Sequence, residues 1–259
     1  MPSHAQVSAH GAHGIILLGH NNTSVAHVDA VSSKTPFASI GIPVTMLELD
    51  SGTATKPGTK SSSSASPAVS FNGQFGLIDF DSSIRLPRHV HIAPPEASGD
   101  EFNEIKRTFV TERILVLDGV ALVELNGSVY VVPPRTLVTI APGVPHTWTA
   151  CPAGVSFSEA ARLCGGPIHP HSETETGTQS KTFPVSNGSF LMVYEYEDPT
   201  GFFPTEQTET LESVKDYIRC DDLERIRFPQ MSAQDIYKKG WFILGGEVWN
   251  LGEGISTSI

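Results

Sequence analysis

The chain has 259 residues, of which 39% are hydrophobic and 17% charged, and its formal net charge is -11. This charge argues against nucleic acid and anionic membrane surfaces as partners, because both attract basic proteins. No apolar run approaches the length of a membrane span. The length suits one large β domain or two smaller domains.

The three cysteines, Cys151, Cys164 and Cys220, are widely spaced along the chain. An odd number without a CxxC pair argues against a disulfide framework and against a thiolate zinc site. The first residues lack the basic start and the apolar core of a secretion signal. These features predict a soluble, cytoplasmic protein in which Cys151 is a buried structural thiol.

Residues 1–50 contain two short apolar runs, IILLG at residues 15–19 and VTMLELD at residues 44–50. Both predict strands, which we expect to pack on the main domain or on a partner subunit of a homodimer. Residues 51–70 are rich in serine and carry almost no apolar side chains. Such a segment cannot bury enough surface to offset its ordering entropy, so it predicts a mobile loop.

Residues 71–198 show short β runs separated by turn residues, which predicts an antiparallel all-β barrel or sandwich. The runs are FGLIDF, HVH, RILVLDG, VALVEL, VYVV, RTLVTI, HTWTA and FLMVYEYED. Asn126 and Gly127 join the fourth and fifth runs, and Asn-Gly is the strongest short-range signal for a β-hairpin.

Residues 199–259 form a C-terminal extension in which two short helices are predicted. Residues 209–218 have apolar side chains at a helical spacing. Residues 232–240 begin with a Ser-x-x-Asp sequence that resembles a capping box, and they end at a glycine.

The HVH run places His89 and His91 two residues apart on a predicted strand. Alternate residues of a strand share a face and lie about 7 Å apart, so one metal ion can bind both imidazoles. A second pair, His169 and His171, flanks a proline in a polar, turn-rich stretch, which favours an exposed loop. The apolar surroundings of His89 and His91 favour a metal site, because buried imidazoles need a partner.

Four glutamates follow the HVH run before the next predicted turn. Three of them lie in a stretch typical of loops: Glu96, Glu101 and Glu104. Glu112 instead alternates with aliphatic residues on one face of a predicted strand. A glutamate on an inward strand face is unusual unless a cation holds it. His146 opens the HTW run and shares its face with Trp148.

Together, HVH, ERILVLDG and IAPGVPHTW resemble the two sequence motifs of the cupin superfamily. The first cupin motif consists of HxH, a short gap, Glu, six residues and Gly, and Glu112 to Gly119 matches its second half. The second motif ends with a Pro-Gly pair, two residues and His, which matches Pro142, Gly143 and His146.

The resemblance covers residues 75–157 and implies a single-domain cupin. The implied fold is an all-β antiparallel barrel of the jelly-roll or double-stranded β-helix type over residues 71–198, with extra N-terminal strands and a short helical C-terminal extension. The resemblance also implies a metal site of three histidines and one glutamate: His89, His91, Glu112 and His146.

The sequence departs from the cupin pattern at two points. The gap between His91 and Glu112 exceeds the usual three or four residues, which predicts an inserted loop over the barrel mouth between Ile92 and Thr108. Glu96 satisfies the short gap, but no glycine follows it at the motif distance, so Glu112 is preferred and Glu96 is the alternative ligand. Ala150 stands where the second motif often has Asn.

Three imidazoles and one carboxylate suit one divalent transition metal, and these ligand types do not choose among Fe, Cu, Ni, Mn and Zn. A redox metal predicts a cupin oxygenase, specifically a dioxygenase, that acts on a small organic molecule, with Glu112 and His146 as catalytic residues. The alternatives are a cupin isomerase, lyase or cyclase, with or without metal, in which histidine acts as acid or base, and a non-catalytic ligand-binding cupin. Trp148, Tyr194 and Tyr196 are predicted to line the substrate pocket.

Overall fold

The computed structural model describes residues 7–10, 14–17, 23–25, 33–50, 73–94, 107–163, 183–244, 247–250 and 255–258. Its strands are β1 (Val7–His10), β2 (Gly14–Leu17), β3 (Thr23–Val25), β4 (Ser33–Lys34), β5 (Met46–Asp50), β6 (Phe75–Asp81), β7 (His89–Ile92), β8 (Glu112–Gly119), β9 (Ala121–Leu125), β10 (Ser128–Val132), β11 (Thr136–Ile140), β12 (His146–Ala150), β13 (Ser189–Tyr196), β14 (Gly201–Pro204), β15 (Trp241–Leu244), β16 (Glu247–Asn250) and β17 (Ile255–Ser258). Two α-helices accompany them, α1 (Phe157–Leu163) and α2 (Ala233–Lys239).

Eight consecutive strands, β6 to β13, form the centre of the fold and pair in a nested order. β6 pairs with β13, β7 with β12, β8 with β11 and β9 with β10, and every one of these pairs is antiparallel. The chain is therefore one long hairpin wound into two sheets, which is the arrangement of a jelly roll. The predicted cupin-like double-stranded β-helix is confirmed.

The two sheets have different extensions at their edges. Sheet I has the order β14-β7-β12-β9-β10-β15-β16-β17, and sheet II has the order β11-β8-β13-β6-β5-β4. The predicted run at residues 44–50 forms β5, which with β4 widens sheet II. β1, β2 and β3 form a separate three-stranded sheet. Their predicted role in a homodimer stays a prediction, and residues 51–70 lie outside the described residues.

Strand β13 shows how the sequence selects the buried face. Phe190, Met192, Tyr194 and Tyr196 are buried, while the residues between them are partly exposed. This alternation is the period of a strand with one face on the core. The four side chains pack with the inward residues of both sheets in one apolar cluster. Burying a large apolar side chain contributes about 1.5–3 kcal/mol, so each of these side chains stabilises the barrel.

Two motif glycines occupy positions that a side chain cannot share. Gly119 ends β8 with φ +72°, and a Cβ there would lie 2.1 Å from the carbonyl oxygen of Ser189. Gly143 has φ +79°, and a Cβ there would lie 2.1 Å from the carbonyl oxygen of Leu211. Both conformations lie in the left-handed region that favours glycine. The motif glycines therefore let the ends of β8 and the turn before β12 pack tightly against neighbouring backbone.

The predicted hairpin and one predicted helix form as expected. Asn126 and Gly127 join β9 to β10 with positive φ angles of 48° and 76°, as a two-residue hairpin turn requires. α2 begins with a capping box, in which Ser232 and Asp235 each accept the other's backbone N–H. This cap satisfies two amides that the first helical turn leaves without partners.

The predicted helix at residues 209–218 is wrong, because only Val214–Asp216 forms a short 3-10 turn. Leu211 donates its amide to the carbonyl of Gly143 at 2.9 Å and packs in a small cluster with residues of β7. Ile218 remains 62% exposed, so the apolar residues of this segment do not share one buried face. Contacts with the barrel override the helical spacing.

The C-terminal extension supplies four strands that the sequence did not predict, β14 to β17, all in sheet I. β15 pairs in parallel with β10, far from it in sequence. α1 and α2 contribute Phe157 and Ile236 to a second apolar cluster that also contains Leu122, Phe228 and Phe242. Within the described part of the chain, no helix has the length and apolar character needed to cross a membrane.

Candidate metal centre

Four polar side chains meet inside the barrel near one end of the paired strands. His89 and His91 belong to β7, His146 to β12 and Glu112 to β8. β7 and β12 are neighbours in sheet I, and β8 lies in sheet II, so the glutamate faces the histidines across the barrel. All four are buried, with 1–3% of their surface exposed.

The distances show that these side chains converge on one point. A ligating nitrogen from each of His89, His91 and His146 lies within 4.8 Å of the other two. Oε2 of Glu112 lies 2.8 Å from Nε2 of His146 and 3.5 Å from Nε2 of His91. One atom placed among these nitrogens can therefore contact the three histidines, and the Glu112 carboxylate lies beside two of them.

Each of the three imidazoles is oriented by a backbone carbonyl. Nδ1 of His89 lies 2.8 Å from the oxygen of Pro87, and Nδ1 of His91 lies 3.0 Å from that of Gly201. Nδ1 of His146 lies 2.9 Å from the oxygen of Val144. A carbonyl can only accept, so each Nδ1 carries a proton, and in a neutral imidazole held in this way the lone pair is on Nε2. Metal-binding histidines are held in this way.

The atoms that point at the centre have no hydrogen-bond partners among the described residues. They are Nε2 of His91, Nε2 of His146 and Oε2 of Glu112, all fully buried. Leaving such a buried polar atom unsatisfied costs about 1–3 kcal/mol. Imidazole nitrogens and a carboxylate oxygen are the kinds of ligand atom that a divalent transition metal prefers. The residues present therefore fit a metal ion of that class.

Burial and mutual contact shift the pKa values of His89 and Glu112. Burial, reinforced by His146 and His91, holds the pKa of His89 well below its ordinary value, so this imidazole is neutral. Burial alone would raise the pKa of Glu112, but His91 and His146 together hold it well below its ordinary value. The neutral imidazole of His89 and the ionised carboxylate of Glu112 are in the forms that bind metal.

Aromatic side chains surround the cluster. The ring of Tyr196 lies 4.4 Å from that of His91. The ring centroid of Phe202 lies 4.7 Å from that of His89 and 5.5 Å from that of His91, and the ring of Phe37 lies 4.7 Å from that of Phe202. The wall of the site therefore combines a barrel strand, the tail strand β14 and the segment before β5.

The three predicted pocket residues occupy different places. Tyr196 touches the cluster. Tyr194 lies next to Tyr196, at 5.2 Å between ring centroids, and Trp148 packs in the core at 6.3 Å from Phe190. The Tyr194 hydroxyl and the Trp148 ring nitrogen are buried without a hydrogen-bond partner among the described residues. A direct role of any of the three in substrate binding stays a prediction.

Other sequence predictions fall on different parts of the chain. Glu112 joins the histidines as preferred, whereas the alternative ligand Glu96 lies outside the described residues. The same holds for Glu101, Glu104, His169, His171, Cys164 and most of the loop predicted between Ile92 and Thr108. Cys151 is fully buried, and burial raises the pKa of its thiol to about 12, which matches the predicted structural role.

Sequence reasoning missed Phe202 and the carbonyl of Gly201, which belong to the tail strand β14. β14 pairs with β7 so that Phe202 lies opposite His91. The signal was the sequence GFFP, a short aromatic run between a glycine and a proline, which is typical of an edge strand. Helix α1 was also missed, although Ser156 and Glu159 have the Ser-x-x-Glu spacing of a helix start.

No protein-family model matches this chain, and no curated protein matches it. Similar solved structures include a cupin-like protein from Thermotoga maritima, with 15% identity and a TM-score of 0.31 over 63% of this chain and 79% of that one. An uncharacterized protein with a double-stranded β-helix domain from Klebsiella pneumoniae has 13% identity and a TM-score of 0.30 over 59% of this chain and 86% of that one.

A third similar structure comes from work on DMSP lyases, with 9% identity and a TM-score of 0.32. That match covers 73% of this chain and 60% of the other. These likenesses concern the fold, whose assignment rests on the nested strand pairing. The chain has a cupin-like fold with a buried cluster of three histidines and one glutamate.

Proposed function

We propose that this protein is a metal-dependent cupin-type enzyme that oxidises a small organic molecule. One observation carries the proposal: three histidines have Nδ1 fixed by backbone carbonyls, and their ligating atoms converge with the carboxylate of Glu112. His89, His91, Glu112 and His146 would hold one divalent transition metal. Four protein ligands leave positions for oxygen or substrate on a metal that accepts five or six ligands.

A bound Fe, Cu, Ni or Mn ion would supply redox chemistry at this point, whereas Zn would polarise a carbonyl as a Lewis acid. The protein's own residues hold the ligands in position and exclude water from the cluster. Phe202 lies beside the histidines and Phe37 packs against Phe202, and these apolar rings favour an organic substrate with an apolar surface. The net charge of -11 does not favour a nucleic acid.

The orientation of the imidazoles supports a metal role over acid-base catalysis by histidine. All three Nδ1 atoms are engaged with carbonyls, and the three rings face one another at 4.5–5.2 Å between centroids. A histidine that acts as acid or base needs a ring nitrogen within reach of the proton it transfers. Here those nitrogens point at one another, as ligands do.

Metal content measured by elemental mass spectrometry on untagged protein tests the proposal. The protein is stripped with a chelator, dialysed against each of Fe, Cu, Ni, Mn and Zn in turn, and assayed for oxygen consumption with a panel of small aromatic and carbonyl compounds. The His89→Ala/Glu112→Ala double variant is the control, because it removes one ligand from each sheet.

Near one equivalent of a redox metal, absent from the variant, together with substrate-dependent oxygen consumption would support the oxygenase. One equivalent of zinc without oxygen consumption would overturn the oxygenase proposal. It would favour instead an isomerase, lyase or cyclase with a Lewis-acid metal. Folded wild-type protein that binds none of the five ions would overturn the proposal.

A further inference from the structure

The candidate metal centre is closed to solvent in this structure. Its four side chains, His89, His91, Glu112 and His146, have only 1–3% of their surface exposed. An organic molecule has to touch the centre before it can react there, so part of the surrounding wall must move aside first. The part that moves is expected to be the one with the fewest contacts to the barrel.

One side of the cluster lies close to the surface of the protein. Phe202, whose ring lies 4.7 Å from that of His89, is only partly buried. The ring of Phe37 lies 4.7 Å from that of Phe202, at an angle of 62° between the ring planes. Phe37 is 6% exposed, although its neighbours Pro36 and Ala38 are both exposed. Two aromatic rings, Phe37 and Phe202, therefore separate this part of the surface from His89.

Phe37 belongs to a compact turn, residues 35–42, which we call the lid turn. The amides of Ile40 and Ile42 both donate to the carbonyl of Phe37, at 3.1 and 3.2 Å. Gly41 ends the turn with φ +70°, and a Cβ there would meet nothing within 4 Å. The lid turn therefore has its own internal hydrogen bonds and open space on its outer side, so it can move as one unit together with Phe37.

An arginine ties the lid turn to the rest of the chain. Arg227 donates from Nη2 to the carbonyl of Ile40 at 2.9 Å, and its side chain is 15% exposed and paired with Glu224. Among the described residues, the other hydrogen bonds of the lid turn join two of its own residues. Phe202, by contrast, lies in the β14–β7 ladder opposite His91. Moving the lid turn breaks fewer hydrogen bonds than moving a strand of the wall.

We propose that the lid turn controls access to the metal centre: Phe37 has to move away from Phe202 before a substrate reaches the histidines, and the hydrogen bond from Arg227 to Ile40 holds the turn closed. This inference rests on the proposed function for the identity of the centre and adds the route by which a substrate enters it. The space that Phe37 leaves is bordered by the ring of Phe202, so it fits a flat apolar group of the substrate.

The test measures how fast the buried histidines react in metal-free protein. Chelator-stripped protein is treated with diethyl pyrocarbonate, which acylates unprotonated imidazole, and tandem mass spectrometry gives the initial rates at His89, His91 and His146. Wild-type protein should react slowly at all three, because all three are buried. Phe37→Ala should accelerate these reactions at least about tenfold, because it removes the covering ring. Arg227→Met should accelerate them about 2–10-fold, because it removes one hydrogen bond and keeps the ring.

Phe80→Ala is the matched control for a general loss of stability. Phe80 is fully buried in the same apolar cluster as Phe37 and stacks on Phe190 at 4.6 Å between ring centroids. Its removal truncates the same kind of side chain at a place away from the lid turn. Urea denaturation gives the free energy of unfolding of each variant. We expect Phe80→Ala to lose stability and to keep the slow histidine reactions of wild type.

Four results would each overturn the proposal. They are fast reaction of the three histidines in wild-type protein, equal rates in wild type and Phe37→Ala, equal rates in wild type and Arg227→Met, and an equal acceleration in Phe80→Ala. If Phe37→Ala does not fold, Arg227→Met decides between the two outcomes. Because the protein is free of metal, these rates do not depend on which ion it binds, and the metal content of wild-type protein tests the proposed function separately.

Discussion

His146 on β12 and His89 on β7 are register partners on adjacent antiparallel strands, and their ring centroids lie 4.5 Å apart. His91 lies on the same face of β7, two residues further along, at 4.9 Å from His89. The histidines are therefore fixed by sheet backbone, not by loops. A site on paired strands keeps its geometry better than one on a loop.

Comparing alanine variants of the two HxH pairs tests the assignment of His89 and His91 as metal ligands. We expect the His89→Ala/His91→Ala protein to lose its bound metal, because two of the four ligands are removed. The His169→Ala/His171→Ala protein removes the same residue types and should keep one equivalent. Equilibrium dialysis followed by elemental analysis gives both values. Equal metal content in the two variants would contradict the assignment.

Gly119 tests the close approach at the end of β8. Alanine there must adopt φ +72°, which costs about 1–2 kcal/mol. It must also push away the carbonyl of Ser189, 2.1 Å from the new Cβ, which costs about 1–3 kcal/mol more. We expect a correspondingly lower free energy of unfolding in urea denaturation.

Gly41→Ala is the control for Gly119→Ala. Gly41 has nearly the same φ, +70°, but a Cβ there meets nothing within 4 Å. Gly41→Ala should lose only the stability that an alanine with positive φ costs, because its Cβ meets no neighbouring atom. Gly119→Ala should therefore lower the free energy of unfolding by more. Equal losses of stability would mean that the contact with Ser189 relaxes freely.

A site residue could be predicted from the sequence only where the pattern of its near neighbours identifies it. Glu112 could be chosen because alternation places it on the inward face of a strand. Phe202 could not be assigned to the site, because only the pairing of β14 with β7 brings it there. The role of the Gly201 carbonyl could not be predicted either. Every residue has a carbonyl, and this one reaches His91 only because β14 pairs with β7.

The tail shows the same limit for the fold. Helix α2 could be predicted because its capping box, Ser232 and Asp235, lies within four residues of sequence. Residues 209–218 have a helical spacing, but the contact between Leu211 and Gly143 decides their conformation. β15 joins sheet I through a parallel pairing with β10 that no neighbouring residue encodes. Local patterns predicted local elements, and long-range contacts decided the rest.

The buried tyrosines predict how stability changes in alkali. Burial raises the pKa values of Tyr194 and Tyr196 above the ordinary value of 10.0, with Glu48 adding to the effect on Tyr194 and Glu112 to that on Tyr196. The folded state keeps both hydroxyls protonated, so their contribution to stability is complete below pH 10.0 and is lost as the pH rises towards the folded pKa values. We expect the free energy of unfolding to fall above that pH.

Tyrosinate absorbance in the near ultraviolet checks this expectation. The protein has five tyrosines, and Tyr194 and Tyr196 should remain silent until the protein unfolds. A Tyr194→Phe/Tyr196→Phe protein should therefore give the same native titration curve as wild type, and a smaller one after denaturation. A native curve reduced by two tyrosines would show that both hydroxyls titrate in the folded state.

Cys151 should be chemically inert in the folded protein. Its side chain is fully buried, and burial raises the pKa of the thiol to about 12, so almost no thiolate forms at mildly alkaline pH. Cys151→Ala should leave the native reaction with a disulfide reagent unchanged and remove one reactive thiol after denaturation. A slower native reaction in the variant would show that Cys151 is accessible.

The nested pairing of β6 to β13 also orders the events by which the chain can close. The hairpin at Asn126 and Gly127 joins neighbouring strands, and each outer pair encloses a longer loop, whose closure costs more entropy. His146 meets His89 only when β7 and β12 pair, after the inner strands have come together. We therefore expect the four side chains to come together late in folding, so that the proposed metal ion would bind a nearly complete barrel.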